Sequence, residues 1–402
     1  MAISSTTNKS LKVCMLVHQD YYIDGRVTQY AESLYQEGVL VDVICVQPDE
    51  ERLQAPITGV KVYPIPIKHG AGGQIELLWE YFLSMILYSI WLLALFIKKR
   101  YHVIHVHNMP DFLIFSAVLP KLLGCKLILD VHDPSPEFYI SKYGKSIHSP
   151  MVKLMRFQEM LSAGLANAVI AANPNFKRTL AGRGIPENKI TVITNQPDLK
   201  IFDRARFEPE RSKPRSHFTL LYPGTITALH GLDIPVRSLP YIVDKITNLR
   251  LLIIGAYSDY IEELKKIAEE LGVTEYVEFH PAIPLHEVPR AMSQADAGIY
   301  TGQADAGIMN IFVPVKVLQY AVMGLPIIAS RIGGLIQLFP EDAILYFDPG
   351  DVRGFADCVL RLYENPELKV TLAQKADEAF VQKFNWQNEE KTYLALLHRL
   401  AA

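Results

Sequence analysis

Twelve short apolar runs, each followed by a longer amphipathic or polar stretch, limit this chain to very few folds. LKVCMLV (11–17), VDVICV (41–46), VIHVH (103–107), KLILDVH (126–132), AVIAA (168–172) and KITVI (189–193) form one series. FTLLYPG (218–224), RLLIIG (250–255), VEFHP (277–281), AGIYTG (297–302), PIIAS (326–330) and AILYF (343–347) form another. Strands separated by helical stretches make βαβ units, so each series predicts its own parallel, doubly wound sheet. Between them RARFEPERSKPRSH (204–217) is charged, proline-bearing and without apolar period, the composition of an exposed linker. The expected organisation is a domain over 1–203, a linker over 204–217 and a second domain over 218–375. A helical tail over 376–402 would pack back towards the first domain through Phe384, Trp386, Tyr393, Leu396 and Leu397.

Composition narrows the function. The 402 residues are 50% hydrophobic, enough for a large core in two domains. A formal net charge of -3 offers no bulk attraction for nucleic acid, which is excluded as a partner. The four cysteines, Cys14, Cys45, Cys125 and Cys358, lie far apart without a CxxC pair, as expected of a cytoplasmic protein. MAISSTTNKS lacks an apolar core, so no signal peptide is expected and the sequon at Asn8 is one by spelling only.

One stretch departs from the α/β pattern. LLWEYFLSMILYSIWLLALFIKKR (77–100) has one acid, Glu80, and ends in Lys98, Lys99 and Arg100. It is long enough to span a bilayer. A span would put strands of one sheet on opposite sides of the membrane, so it is rejected. Two readings remain: a buried core helix, or a helix lying on the membrane with Lys98 to Arg100 facing anionic headgroups. Glu80, Ser84 and Tyr88 fall on one stripe, leaving an apolar face broader than a sheet surface needs, which favours the membrane.

The candidate chemistry lies at strand ends. There is no GxxxxGK[ST] and no GxGxxG after the first strand, which removes simple ATPase and dinucleotide readings. Asp24, Gly25 and Arg26 precede a helical period; they form either a capped surface turn or a loop whose N–H groups and Arg26 meet a phosphate or an acceptor. His105 and His107 share a strand face and admit a metal site, against the alternative of a ligand-facing sheet edge that holds none. His132, beside Asp133, is the better candidate for a substrate hydroxyl. In PVKVLQYAVMGLPIIAS (314–330) Pro314 suits the first helical position, which puts the lone cation, Lys316, in the first turn. A cation there opposes the helix dipole and calls for an anion such as a diphosphate, unless it snorkels to solvent. Gly307, Ile308, Met309 and Asn310 would add backbone N–H donors around the phosphates, and Gly333 and Gly334 allow close backbone approach.

Together, DGRVTQYAESLYQEGVLVDVICV, VHNMPDF, LDVHD, TVITNQPD, YPGTITALHGLD, PVKVLQYAVMGLPIIASRIGG and FNWQNEEKTYLALLHRL resemble the retaining, nucleotide-sugar-dependent glycosyltransferases of family 4, over nearly the full length. The likeness is strongest to bacterial members that assemble polysaccharides. It implies the GT-B fold, two facing Rossmann-like domains with a C-terminal helix crossing back, and a donor in the cleft, mostly on the second domain. It further implies that Lys316 holds the donor diphosphate, that Gly307 to Asn310 approach the sugar and phosphates, and that His132 contacts the donor sugar. Gly224, Thr225, His230 and Gln319 complete the implied donor site. The donor would be a UDP- or GDP-sugar and the acceptor a glycan or polyprenol-linked glycan, with peripheral membrane contact through 77–100 at the inner face. The resemblance calls for no metal and no cofactor.

The chain also departs from the family pattern. Ile311 and Gln319 stand where two glutamates are usual; loss of the second costs the charge that grips the ribose hydroxyls. Thr225 or Leu229, and His230, replace an Arg and a Lys, and Gln337 replaces a glutamate after the paired glycines. These changes allow a rival reading, a non-catalytic GT-B subunit supporting a partner glycosyltransferase at the membrane. A metal-dependent hydrolase using His105, His107, His132 and Asp133 is a third.

Overall fold

The structure, a computed structural model, describes residues 11–48, 59–67, 74–211, 214–304, 307–384 and 386–402. The sequon and leader readings fall on residues 1–10, outside the described residues. The chain forms two compact units. The first comprises Met1–Tyr139, Lys145–Asn195 and Trp386–Ala402; the second comprises Ile140–Gly144 and Gln196–Asn385.

The first unit is built on a parallel sheet ordered β3-β2-β1-β4-β5-β6-β7. Its strands are β1 (Lys12–Val17), β2 (Leu40–Val46), β3 (Lys61–Ile65), β4 (Val103–His107), β5 (Lys126–Val131), β6 (Ala168–Ala171) and β7 (Ile190–Val192). From β3 to β4, β5 and β6 the chain steps one way across the sheet, whereas β1 to β2 steps the other. Right-handed crossovers therefore lay helices α2 (Gln74–Lys99), α3 (Val118–Leu122) and α4 (Pro150–Leu165) on one face and α1 (Gly25–Gln36) on the opposite face. Asp24 caps α1 by accepting from the N–H groups of Arg26 and Val27. The inward stripe of α1, with Tyr30 and Leu34, closes over Val13, Met15 and Val43.

The second unit repeats the design with a sheet ordered β10-β9-β8-β11-β12-β13. These strands are β8 (Phe218–Pro223), β9 (Leu249–Ile254), β10 (Val277–His280), β11 (Ala297–Tyr300), β12 (Ile327–Ser330) and β13 (Leu345–Phe347). Helix α5 (Val315–Val322) follows β11, and Gly324, at φ 62°, ends it. The last helix, α6 (Trp386–Ala401), packs in the first unit, where Tyr393, Leu396 and Leu397 join the core with α1.

Every strand expected from an apolar run is present, and β3 is an addition. KVYPI carries a proline and a leading lysine, which hide it in the sequence. At the sheet edge the missing N–H of Pro64 does not interrupt a central ladder. The described parts of the segment expected as a linker, 204–211 and 214–217, are folded into the second unit. Arg204–Phe207 and Glu208–Arg211 are helical turns, Phe207 is buried, and Arg215 pairs with Asp296 at 3.1 Å.

Candidate active site

In the second sheet the strand order reverses between β8 and β11, and ligands of doubly wound sheets bind past the strand ends at such a point. The chain leaves β8 through Gly224 and returns after β11 into α5. Pro314 is the N-cap of α5, one position earlier than expected, and Lys316 is its second residue. The Lys316 ammonium donates to the Tyr222 hydroxyl at 2.6 Å and lies 4.0 Å from the centre of that ring and 5.7 Å from that of Tyr300. The Tyr222 hydroxyl in turn donates to the carbonyl of Thr225, whose residue is exposed. No carboxylate pairs with Lys316 among the described residues, and burial pushes its pKa down to about 7.

Gly224 makes this arrangement possible. Its φ is 147°, and a Cβ there would lie 2.8 Å from the Lys316 Nζ. His230 stands close by with Nδ1 3.0 Å from the Thr227 hydroxyl. Burial and the charge of Lys316 push His230 down to about 3, so it stays neutral and does not replace a missing cation. Gln319 is half-buried, three residues beyond Lys316 and so on the same side of α5.

The loop before α5 departs from expectation in one respect. Ile308 and Met309 bury their side chains, and the Ile308 N–H already donates to the Ser141 hydroxyl at 2.8 Å, so it is not an open phosphate donor. A 3-10 turn over Ile308–Asn310 gives this loop its shape. The paired glycines hold it: a Cβ on Gly333 would lie 2.6 Å from the Asn310 carbonyl oxygen, and one on Gly334 would overlap that of Phe312.

The first unit collects its polar groups along the ends of β4 and β5. Asp130, fully buried, lies 3.2 Å from His107 Nδ1, 3.2 Å from His132 Nε2 and 3.7 Å from His105 Nε2. Arg26 grips both oxygens of the same carboxylate, at 3.1 and 3.0 Å, and donates to the Ile193 carbonyl at 2.9 Å. Burial alone would raise the Asp130 carboxyl; Arg26, then His132, His105 and His107, reverse this and hold it well below the usual carboxylate range. Burial lowers His105, and burial with the neighbouring His105 lowers His107 well below the usual imidazole value.

Two expectations are corrected by this geometry. Arg26 is not a phosphate contact; it is a buried counter-ion beneath the sheet edge, while Asp24 and Gly25 form a capped turn. The carboxylate that joins the histidines is Asp130, not Asp133, whose own pKa burial raises to about 7. The ligand-type atoms of His105, His107 and Asp130 lie within 4.8 Å of one another, as a metal site requires. A cation there would share its carboxylate with the Arg26 guanidinium, so the donor set suits an ion-pair network better than a metal. Asn108, unnoticed in the sequence, orients the strand end: it accepts from the His132 N–H at 2.7 Å and donates to Asp111 and to the Asp133 carbonyl, each at 2.7 Å. Tyr222 and Asp130 also went unnoticed. Period two in LDVHD was the signal for Asp130, since residues 130 and 132 share a face.

Helix α2 packs on the sheet through its polar stripe. Its stripe of Ser84, Tyr88, Leu92 and Phe96 turns inward, with the Tyr88 hydroxyl donating to the Val17 carbonyl at 2.6 Å and Glu80 lying 3.6 Å from His18. The apolar side is the outer one: Trp79, Phe82, Leu83, Ile86, Ile90 and Ile97 are 41 to 67% exposed. By length and composition Trp79–Lys99 would cross a membrane, yet it connects two strands of one sheet. Lys99 is not free for a headgroup; it pairs with Asp42 at 2.6 Å and the Tyr63 hydroxyl at 2.8 Å. Lys98 and Arg100 remain exposed.

Two parallel doubly wound units, the second with a lysine at a helix start beside its switch point, define the class of GT-B proteins. Residues 24–196 match the family described as glycosyl transferase 4-like domain, and residues 217–365 match glycosyl transferases group 1. The chain belongs to this family of glycosyltransferases, the family 4 type of the GT-B fold. Sulfoquinovosyl transferase SQD2 of Arabidopsis thaliana is 24% identical over 303 residues, 71% of this chain and 54% of the relative. The chain thus spans about half the length of that relative. A GDP-mannose-dependent alpha-(1-6)-phosphatidylinositol monomannoside mannosyltransferase of Mycolicibacterium smegmatis is 29% identical over 206 residues, 48% of this chain and 54% of the relative. Among solved structures, HepE of Anabaena in complex with UDP and glucose superposes with a TM-score of 0.70 at 17% identity, covering 96% of this chain and 99% of that one.

Proposed function

We propose that this protein transfers a sugar from a UDP- or GDP-sugar to a lipid-linked or polysaccharide acceptor with retention of configuration. The observation that carries the reading is Lys316. A half-buried lysine brought close to neutrality, seated at a helix start on Tyr222 and admitted by Gly224, is a cation without its anion. A nucleoside diphosphate supplies that anion. As the bond from the anomeric carbon to the diphosphate breaks, negative charge grows on the leaving phosphate, where the ammonium and the helix N-terminus stabilise it. The acceptor oxygen bonds to the same face of that carbon and its proton passes to the leaving phosphate, so the step needs neither a metal nor a cofactor. His132 would contact the donor sugar, oriented through Asp130 and Asn108.

Relatives support the choice of substrates. HepE was crystallised with UDP and glucose, and the mycobacterial relative is named for a GDP-mannose donor and a phosphatidylinositol monomannoside acceptor. The outward apolar side of α2 suits an acceptor held in a membrane, which makes the protein a peripheral one at the cytoplasmic face. A second reading, a non-catalytic subunit, is favoured by the neutral His230 and by Gln319, which leave the donor site poor in charge.

Calorimetry with UDP and GDP tests the first reading. Lys316→Ala is expected to weaken binding at least tenfold, about 1.4 kcal/mol, and unchanged affinity removes Lys316 from the donor site. Turnover of a donor panel with membrane lipid extract separates enzyme from subunit: binding without turnover of any donor favours the subunit.

A further inference from the structure

Exposed apolar side chains are concentrated in one stretch of the fold. Of the 28 large apolar side chains exposed among the described residues, 17 lie between Trp79 and Leu161, about a fifth of the chain. In the first unit they belong mainly to α2, α3 and α4, the helices that the crossovers lay on one face of the sheet. The turn Asp111–Ala117 packs against all three, so they form one continuous layer. On α4 the outer stripe is Met151, Leu154, Phe157, Met160 and Leu161, 47 to 59% exposed; on α3 and its C-cap it is Leu119, Leu122 and Leu123, 53 to 77% exposed.

The exposed charge carried by these helices and the segments between them has one sign. Within the first unit, between Trp79 and Leu165, the exposed charged residues are Lys98, Arg100, Lys126, Lys145 and Lys153. No carboxylate in that range is exposed. Asp111, Asp130, Glu137 and Glu159 are buried, and Glu80 and Asp133 half-buried. The acids beneath α4 are neutralised internally, since Arg183 binds Glu159 at 2.6 Å and also reaches Glu137. In a chain with a net charge of -3, none of the six carboxylates between Trp79 and Leu165 is exposed.

We propose that α2, α3 and α4 together form a docking surface for an anionic lipid bilayer, with α4 as a second anchor beside α2. Apolar side chains enter the acyl boundary while a fringe of cations meets lipid phosphates, the two requirements of a helix layer that lies on a membrane. A second copy of the chain would set the like-charged fringes against each other, which argues against self-association through this face. The proposal extends the α2 contact proposed above and can fail while that contact stands.

The test is co-sedimentation of the full-length protein with vesicles. Binding to phosphatidylcholine vesicles carrying about 30% phosphatidylglycerol is expected to be at least tenfold tighter than to pure phosphatidylcholine, and to weaken as salt rises from about 0.1 M to about 1 M. Leu154→Glu/Phe157→Glu on α4 should cost tenfold or more with α2 intact, and Lys145→Glu/Lys153→Glu should remove most of the preference for anionic lipid. A loss confined to Ile86→Glu/Ile90→Glu on α2 would leave that helix as the sole anchor and overturn the extension. Equal binding to neutral and anionic vesicles overturns the role of the cations. A dimer in solution that Leu154→Glu/Phe157→Glu dissociates, without vesicle binding by the wild type, assigns the face to a second copy instead.

Discussion

At the residue scale, two desolvated charges, half-buried Lys316 and buried Asp130, solve their solvation problem in opposite ways. Lys316 has no counter-ion among the described residues and yields its proton at about pH 7, whereas Asp130 has Arg26 and keeps its charge well below the usual carboxylate range. A diphosphate binds the protonated lysine, so the free protein must take up a proton on binding above about pH 7. UDP affinity is therefore expected to fall as pH rises from 7 to 9, by up to tenfold per unit, and Lys316→Ala should flatten the dependence. Calorimetry in two buffers of different ionisation enthalpy reads the proton uptake directly. Asp130 predicts a stability effect. Its depressed carboxyl contributes stability that is present above the unfolded pKa of about 3.9 and lost as pH falls through the folded one. His105 and His107, lowered in the fold, act at milder pH: below about 6.5 the unfolded chain binds their protons first, so stability declines as pH falls. Asp130→Asn should cost about 3 to 5 kcal/mol, because it leaves Arg26 buried and unpaired. Urea midpoints at pH 7.5 and 5.5 check both, and an unchanged midpoint in the variant would mean that Arg26 finds another partner.

At the element scale, hydropathy told which segments would be helices and strands but not which way a helix would face. Glu80, Ser84 and Tyr88 mark one polar stripe of α2, and the pattern alone does not say which side packs on the sheet. In the fold that stripe carries α2 inward, since the Tyr88 hydroxyl finds the Val17 carbonyl at the end of β1. Tyr88→Phe should destabilise the first unit by about 1 kcal/mol, measured by urea denaturation, with the far-UV spectrum unchanged. Arg26 was misread for the same reason: at the start of an amphipathic helix a guanidinium reads as exposed, and only the register of β4 and β5 brings Asp130 beneath it. Lys316 was legible because an isolated cation in an apolar helix conflicts with the helix dipole. Its partner Tyr222 was not, because nothing in YPGTIT says that a tyrosine ring will lie under a side chain 94 residues away.

At the scale of the whole molecule, the first unit takes in a helix, α6, that follows the entire second unit in sequence. Tyr393 of α6 is fully buried, its hydroxyl 2.8 Å from His105 Nδ1 and its ring 4.4 Å from that of Tyr30, while Glu389 accepts from the Thr194 N–H at 2.7 Å. The core of the first unit therefore includes side chains of α6, whereas the second unit draws its buried apolar residues almost entirely from within Gln196–Asn385. Tyr393, Leu396 and Leu397 together are worth on the order of 6 kcal/mol of burial, at roughly 2 kcal/mol each. That is comparable with the whole stability of an ordinary domain. A chain ending at residue 385 is expected to lose the cooperative unfolding of the first unit and to keep that of the second. Calorimetric scans with limited proteolysis would show one surviving transition and a protected fragment beginning near residue 196. Adding the α6 peptide in trans should restore part of the lost transition in proportion to its concentration, because a ligand that binds only the folded unit stabilises it by mass action. Two intact transitions after truncation would mean that α6 covers a core already closed without it.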